Sequence, residues 1–368
     1  MNTLLKRFIR YVKIPSPSGQ EARFSALIKK ELKQLGIKYK QDKIGNIVAH
    51  VKGSAGNVPA IMLNAHLDTV THKGNIKPKI SKGFVRSDGT TILGADDKAG
   101  VAVIMELLSI LKKGNNDPCR LLCGDLLIVL TVQEETGLHG ARAMDKRMLK
   151  ADFGFALDGG SVDVILNAAP TQVNLQAEIV GRAAHAGTHP EDGINAIKVA
   201  SEAIAGMKLG RIDHETTANI GIIKGGIATN IVPEKVKIKG EARSHDRKKL
   251  KNQIVHMQTM LKKACAKNRA KLYIEIKEAY SSFRISKNDK VLQLVSASLK
   301  KLKLRPEVKP SGGGSDANIF NARGIKTLIL GVGGHNLHSP KEHLNIKEME
   351  LALKLLMEVI TENARRND

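Results

Sequence analysis

Leu126-Leu127-Ile128-Val129-Leu130-Thr131-Val132-Gln133-Glu134-Glu135 is the stretch that decides the fold. From Leu126 to Val132 it is almost continuously apolar, without the alternation of a strand that has one wet face. Such a strand belongs inside a parallel sheet covered on both sides. It stops on two adjacent acids. Successive residues at a strand end point in different directions, so one acid can hold a cation while the other faces a substrate water. Two like charges at a buried edge are costly unless a cation compensates them. A solvated strand end is the plainer alternative.

Outward from that strand the same texture repeats. Ile47 to Val51, Ala60 to Leu63 and Phe153 to Leu157 read as strands, and Leu4 to Val12, Glu21 to Leu35 and Lys98 to Lys113 as helices. In the last of these, Val101, Ile104, Met105, Leu108 and Leu111 share one face. Pro15-Ser16-Pro17-Ser18-Gly19 is a breaker cluster between the first two helices. Strands alternating with helices predict an α/β layer fold. After about Ala169 the pattern changes. Thr171 to Val180 alternates, as an antiparallel strand with one wet face would. A helix from about Asp192 to Met207 follows, with Ile194, Ile197, Ala200, Ile204 and Met207 inward. Strands near Ala218 to Ile223 and Val236 to Ala242, a helix from Arg247 to Lys267 and a strand from Lys271 to Ala279 complete a β-α-β-β-α-β order, a split βαβ sandwich inserted into the chain. From Ser286 the α/β alternation resumes with Val291 to Leu302, Thr327 to Leu330 and Lys347 to Thr361. The expected division is residues 1–169 and 283–368 for a catalytic domain and 170–282 for the insert.

Acids and imidazoles gather at the ends of these strands. In His66-Leu67-Asp68, residues two apart face the same way, so His66 can reach a metal while Asp68 steadies its ring; a surface His-x-Asp is the alternative. Asp96 and Asp97 precede a helix, where acids either ligate an ion or offset the helix dipole. Asp158 ends a strand before two glycines and is either a ligand or a turn residue. Residues 333–343 hold His335, His338 and His343, any of which could be a loop histidine. Three carboxylates and two histidines can hold two divalent metals, which points to hydrolysis by an activated water.

Composition narrows the classes. The 368 residues suggest two domains. Cys119, Cys123 and Cys265 make no disulfide framework, and Cys119-x3-Cys123 lacks a second pair for a metal. Met1 to Lys13 is basic and amphipathic without the apolar centre of a signal peptide, and no apolar run reaches the ~18 residues of a membrane span. A cytoplasmic protein without a membrane partner is expected. The net charge of +23 raises the question of nucleic acid, but the lysines are scattered and aromatic residues are 3% with no Trp, so a basic solvated surface and no nucleic-acid partner are expected.

Taken together, Asn64-Ala65-His66-Leu67-Asp68, Gly94-Ala95-Asp96-Asp97-Lys98-Ala99-Gly100, Gln133-Glu134-Glu135-Thr136-Gly137, Leu157-Asp158-Gly159, Gly181-Arg182-Ala183-Ala184-His185-Ala186-Gly187 and His338-Ser339-Pro340-Lys341-Glu342 resemble the M20 family of co-catalytic metallopeptidases, especially its peptidase T-like, tripeptidase-like branch. The likeness runs from about Phe8 to Leu344. It implies a mixed-sheet, zinc-exopeptidase-like catalytic domain with an inserted α+β lid that also builds a homodimer. It implies two Zn2+ ions per subunit, with Co2+ or Mn2+ as substitutes. Asp96 would bridge them, Glu135 and His338 completing one site and His66 and Asp158 the other. Asp68 would orient His66. Glu134 would be the general base on a metal-bridging water that attacks the N-terminal peptide bond of a short peptide. The Asp96–Asp97 peptide would be cis. His185 would stabilise the oxyanion in the partner's site, and Asn230, Arg243 and Gly313 would contact the substrate. From the residues alone, Arg243 could equally pair with Asp246, and Ser311 to Asp316 could be a turn before a helix capped by Ser315. The turn from Ala186 to Ala196 looks more like the wider family, so an N-acyl or carbamoyl amino acid amidohydrolase is the alternative activity.

Overall fold

The computed structural model describes residues 2–113 and 122–367. Cys119 lies outside them; Cys265 is a buried free thiol. Two compact units divide the chain: Met1–Ala168, Arg284–Ser311 and Ser315–Asp368 form the first, Ala169–Phe283 with Gly312–Gly314 the second.

The chain opens with α1 (Thr3–Val12) and α2 (Ala22–Gln34), then strands β1 (Tyr39–Gln41), β2 (Ile47–Val51), β3 (Ile61–His66), β4 (Lys79–Ser81) and β5 (Phe84–Arg86). It continues through α3 (Ala95–Lys113), β6 (Leu126–Thr131), α4 (His139–Ala143), β7 (Phe153–Gly159) and β8 (Val164–Ala169). The second unit holds β9 (Thr171–Val180), α5 (Ala196–Ala205), β10 (Gly210–Arg211), β11 (Thr216–Gly225), β12 (Lys235–Ser244), α6 (Arg247–Lys267) and β13 (Lys271–Tyr280). After β14 (Phe283–Arg284) the first unit resumes with α7 (Lys290–Lys301), β15 (Glu307–Pro310), α8 (Asp316–Ala322), β16 (Lys326–Gly331), β17 (Gly334–His335), β18 (His343–Asn345) and α9 (Ile346–Arg365).

The first unit is built on a mixed sheet in the order β1-β2-β6-β3-β7-β16-β8-β14, with β15 beside β8. Its centre, β6-β3-β7-β16, is parallel. Every residue of β3 and β6 is buried, because helices cover both faces and a parallel strand has no wet side. Helix α3 packs on β3 and β7, and α1 and α9 pack on α3. The carboxyl ends of β3, β6 and β7 therefore open at one edge, where α/β sheets hold their ligands. A small antiparallel sheet, β17-β18-β5-β4, carries the loop with His338.

The second unit is an antiparallel sheet in the order β10-β11-β12-β9-β13. Leu175, Ile179, Val236 and Ile238 from the sheet close a core with Val199, Ala203, Met257 and Leu261 from α5 and α6. The expected helix from Asp192 starts later, at Ala196. Asn195 caps it, and Ile194 pairs with Arg182 in a bridge instead of turning helical. Its buried face is Ala196, Val199, Ala200 and Ala203, so Ile197, expected inward, is exposed. Among the described residues no helix is long and apolar enough to cross a membrane.

Candidate metal centre

Five side chains expected to ligate metal approach one another in the first unit. His66 ends β3, Glu135 follows β6, Asp158 lies near the end of β7, Asp96 opens α3 and His338 lies between β17 and β18. The His66 Nε2 atom is 3.0 Å from Asp96 Oδ1 and 3.9 Å from Asp158 Oδ1. The His338 Nε2 atom is 3.0 Å from Asp96 Oδ2 and 2.9 Å from Glu135 Oε1. The two oxygens of Asp96 thus face two different imidazoles, each with its own second carboxylate. His66, Asp96 and Glu135 also offer atoms all within 4.8 Å of one another. Neighbouring ligand atoms around a tetrahedral Zn2+ stand about 3.3 Å apart at the usual bond lengths, so separations near 3 Å fit a cation of that size.

Each ligand is held by its own support. The His66 Nδ1–H donates to the Asp68 backbone carbonyl at 3.0 Å, with the Asp68 carboxylate at 3.5 Å. A carbonyl can only accept, so that nitrogen carries the hydrogen and Nε2 faces Asp96. The Asp68 carboxylate also accepts the backbone N–H of Glu134 at 3.0 Å and of Glu135 at 3.1 Å. Asp97 accepts the N–H of His66 and of Gly100. The Asp96–Asp97 peptide is cis. Glu342 accepts four consecutive backbone N–H groups, Leu93 to Asp96, at 2.7 to 3.2 Å, and so pins the entry to α3. His338 sits in the left-handed region at φ 60°, where a non-glycine residue needs its surroundings to hold it.

The electrostatics favour a cation. Burial pushes Asp158 well above the usual carboxylate range, and the charge of Asp96 pushes the same way. Glu134 is raised by burial and by Asp158, Asp316 and Glu135, against the pull of His66. Hydrogen bonds to Asp96 and Glu135 raise His338 to about 10. Burial opposes charge on His66, yet the bonds to Asp68 and Asp96 outweigh it and the ring is raised. Protons thus stand where positive charge is wanted, and a divalent ion would replace them.

The other site residues expected from the sequence lie in the second unit. His185 is exposed, and its Nδ1 accepts the N–H of Gly187 and of Thr188, both at 3.2 Å. The Asn230 carbonyl accepts the N–H of Ala186. Arg243 pairs in two-pronged fashion with Glu241, at 2.8 and 3.1 Å, and Asp246 caps α6. A side chain on Gly313 would begin 3.7 Å from the Arg243 guanidinium. Among His335, His338 and His343, the structure brings only His338 to Asp96 and Glu135; His335 pairs with Glu348 at 3.3 Å, and its ring stacks on His343.

Asp97, expected either to ligate an ion or to offset the helix dipole, instead holds the His66 and Gly100 amides; Glu342 and Asp316 also support the centre and carry no individual role in the sequence analysis. Asp316 is buried, accepts the Thr131 hydroxyl at 2.5 Å and is raised by burial to about 6. Its signal was faint: Ser315 does cap α8, so the acid behind it reads as first-turn dipole compensation.

The profile of the family described as Peptidase family M20/M25/M40 matches residues 62–362. The uncharacterized protein YqjE of Bacillus subtilis is 39% identical over 371 residues, covering 98% of each chain. A tripeptidase from Staphylococcus aureus has a solved structure that superposes with a TM-score of 0.88 at 38% identity, covering 98% of both chains. The aminopeptidase PepT from Bacillus cereus gives 0.83 at 37% identity with the same coverage.

Proposed function

The chain belongs to peptidase family M20/M25/M40, in its tripeptidase-like branch, and is a metal-dependent peptidase; on that premise we propose that it is a dizinc exopeptidase, removing the N-terminal residue of short peptides such as tripeptides in the cytoplasm. The observation that carries this reading is the split of Asp96, one oxygen toward His66 and Asp158, the other toward His338 and Glu135. His66 with Asp158 would hold one ion, His338 with Glu135 the other, and Asp96 both. Imidazole with carboxylate is a donor set that zinc accepts, and Co2+ or Mn2+ can substitute. Bound there, the ions supply Lewis acidity that polarises the scissile carbonyl and acidifies water.

The protein's own groups do the rest. Glu134 takes a proton from the attacking water and delivers it to the departing amine. Its burial and acidic neighbours raise its proton affinity, which suits a group that must first accept a proton and then release it. Glu135, next in the chain, takes the ligand role, and Asp68 fixes both through their backbone N–H groups while keeping the His66 ring in register. His185 accepts two N–H groups on Nδ1, which leaves Nε2–H as a donor for the oxyanion in the partner subunit's site. Arg243 and Asn230 would hold the peptide's carboxylate near Gly313, a planar guanidinium being suited to two-pronged carboxylate binding. The second unit is proposed to form a homodimer.

The test is a substrate panel on one metal-analysed sample. A tripeptide should be cleaved at its first bond with two zinc ions per chain, while an N-acetyl amino acid and a carbamoyl amino acid should be left intact. Turnover of the acylated compounds with no tripeptide cleavage would overturn the proposal in favour of an amidohydrolase.

A further inference from the structure

The cluster Pro15-Ser16-Pro17-Ser18-Gly19 reads in the sequence only as a break between helices, the second of them expected from Glu21. In the first unit it grips the segments that carry the metal centre. Ser16 and Thr69 form one attachment: the Ser16 hydroxyl donates to the Leu67 carbonyl at 2.8 Å, and the Thr69 N–H donates to the Ser16 carbonyl at 2.9 Å. The Ser18 N–H returns the link to the Thr69 carbonyl. At the near end of the segment, the buried Lys98 ammonium, two residues after Asp96, donates to the Ile14 carbonyl. These bonds are enough to close the loop. Two further side chains reach past it.

The Ser18 hydroxyl donates to Asp68 Oδ2 at 2.6 Å. That oxygen also accepts the Glu135 N–H, while Oδ1 accepts the Glu134 N–H. The terminal torsion of an aspartate is broad, so the carboxylate plane is set by its partners and not by its rotamer. Glu21 is buried, and its Oε1 accepts the N–H of Gly19 at 2.8 Å and of Gln133 at 3.1 Å. Gln133 sits at φ 53°, a left-handed conformation that a non-glycine residue keeps only when its surroundings impose it. The three consecutive amides of Gln133, Glu134 and Glu135 are therefore each tied, through Glu21 or through Asp68 and Ser18.

We propose that Ser18 and Glu21 are positioning residues that fix the Gln133–Glu135 backbone. They thereby aim the Glu134 carboxylate at the reacting water and the Glu135 carboxylate at its ion. The proposal rests on the peptidase reading of this same centre. Neither residue touches substrate; both act through Asp68 and the Gln133 amide.

The test compares Ser18→Ala, Ser18→Thr, Glu21→Ala and Glu21→Gln with wild type. One arm measures kcat and KM of the zinc-loaded proteins on a tripeptide. A second, run without substrate, measures zinc affinity by competition with a chromophoric chelator. Support lost one layer behind the ligands should lower kcat about 10-fold in Ser18→Ala, with KM within about twofold, and weaken zinc binding by a similar factor. Ser18→Thr, which keeps the hydroxyl, and Glu21→Gln, which keeps the acceptor, should restore both readouts, and Glu21→Ala should follow Ser18→Ala. Wild-type kcat and zinc affinity in Ser18→Ala would overturn the proposal, as would a Ser18→Thr variant no better than Ser18→Ala. Failure of the wild-type protein to cleave any peptide would sink the peptidase reading alone, since the chelator competition still decides the clamp.

Discussion

Glu134 and Glu135 are chemically identical neighbours whose proposed duties differ, and the difference comes from direction alone. Glu135 reaches His338 at 2.9 Å, while Glu134 stays buried among Asp158, Asp316 and His66. If Glu134 only shuttles protons, Glu134→Ala should keep both metals and lose about 10³-fold in kcat, within the range that general acid–base groups contribute. Metal analysis beside kinetics checks this, and loss of zinc from the variant would show that Glu134 is a ligand. His338 gives a pH prediction. Its bonds to Asp96 and Glu135 lift it from 6.5 to about 10 in the metal-free protein. Below 6.5 the folded and unfolded chains both hold that proton and the stabilisation is complete. Between 6.5 and about 10 only the folded chain holds it, so stability falls as pH rises and the contribution is gone above about 10. The fall in Tm of the metal-free protein across that window should therefore be steeper in wild type than in His338→Gln. Saturating zinc should remove the difference, because a ligating imidazole is already deprotonated. An equal slope in the two metal-free proteins would refute the assignment.

At the scale of elements, the strands carrying the site were the most legible part of the chain. The apolar run Leu126 to Val132, the ends at His66 and Asp158 and the helix after Asp97 all follow from periodicity and composition, and β3, β6, β7 and α3 lie where those signals put them. The second unit's strand and helix order was equally readable, because alternation reports a half-wet sheet directly. The short pieces were not. β4, β5, β17 and β18 have two or three residues each and owe their form to pairing with one another, which leaves no local period to read. The supports were hidden for a related reason: Ser18, Glu21, Asp316 and Glu342 act on residues more than 40 positions away, and only the folded chain brings them there. Gly100 shows how a local rule misleads. In a solvated helix a Gly→Ala change is stabilising by about 1 kcal/mol. Here an added Cβ would lie 2.4 Å from Asp97 Oδ1 and 2.7 Å from the Leu157 carbonyl oxygen, so α3 packs against β7 and Asp97 only because the side chain is missing. Gly100→Ala should therefore destabilise by about 1–3 kcal/mol, the usual result of overpacking. It should also weaken zinc binding, because Asp97 holds the His66 backbone. Denaturant titration gives the sign, and a stabilised variant would mean that the helix stands off the strand.

Over the whole molecule two features pull in opposite directions, a net charge of +23 and an exposed apolar strand edge in the second unit. Among the described residues β10 pairs with β11 only at Thr217 and Ala218, and β11 has a backbone partner on one side alone along most of its length, from Asn219 to Gly225. Ile222, Ile223 and Ile227 are exposed there, at 45%, 48% and 89%. An unpaired edge with two isoleucines, and a third just past its end, is a template for a second strand, whereas Lys224 on the same edge is the kind of residue that discourages pairing. Magnitudes decide between them. Burying an isoleucine is worth about 1.5–3 kcal/mol. Repulsion between exposed lysines is screened beyond about 8 Å at physiological ionic strength. Association should win at moderate salt and weaken as salt is removed, the reverse of what a complex held by opposite charges would do. In sedimentation velocity the wild-type protein should run as a dimer at micromolar concentration in about 150 mM salt, a condition in which only short-range charge survives. Dilution into low salt should shift it toward monomer, and Ile223→Lys, at an exposed site that leaves the core of its unit intact, should be monomeric in both buffers. A wild-type monomer at moderate salt would remove the proposed dimer, and a dimer that the substitution leaves intact would move the interface to another face.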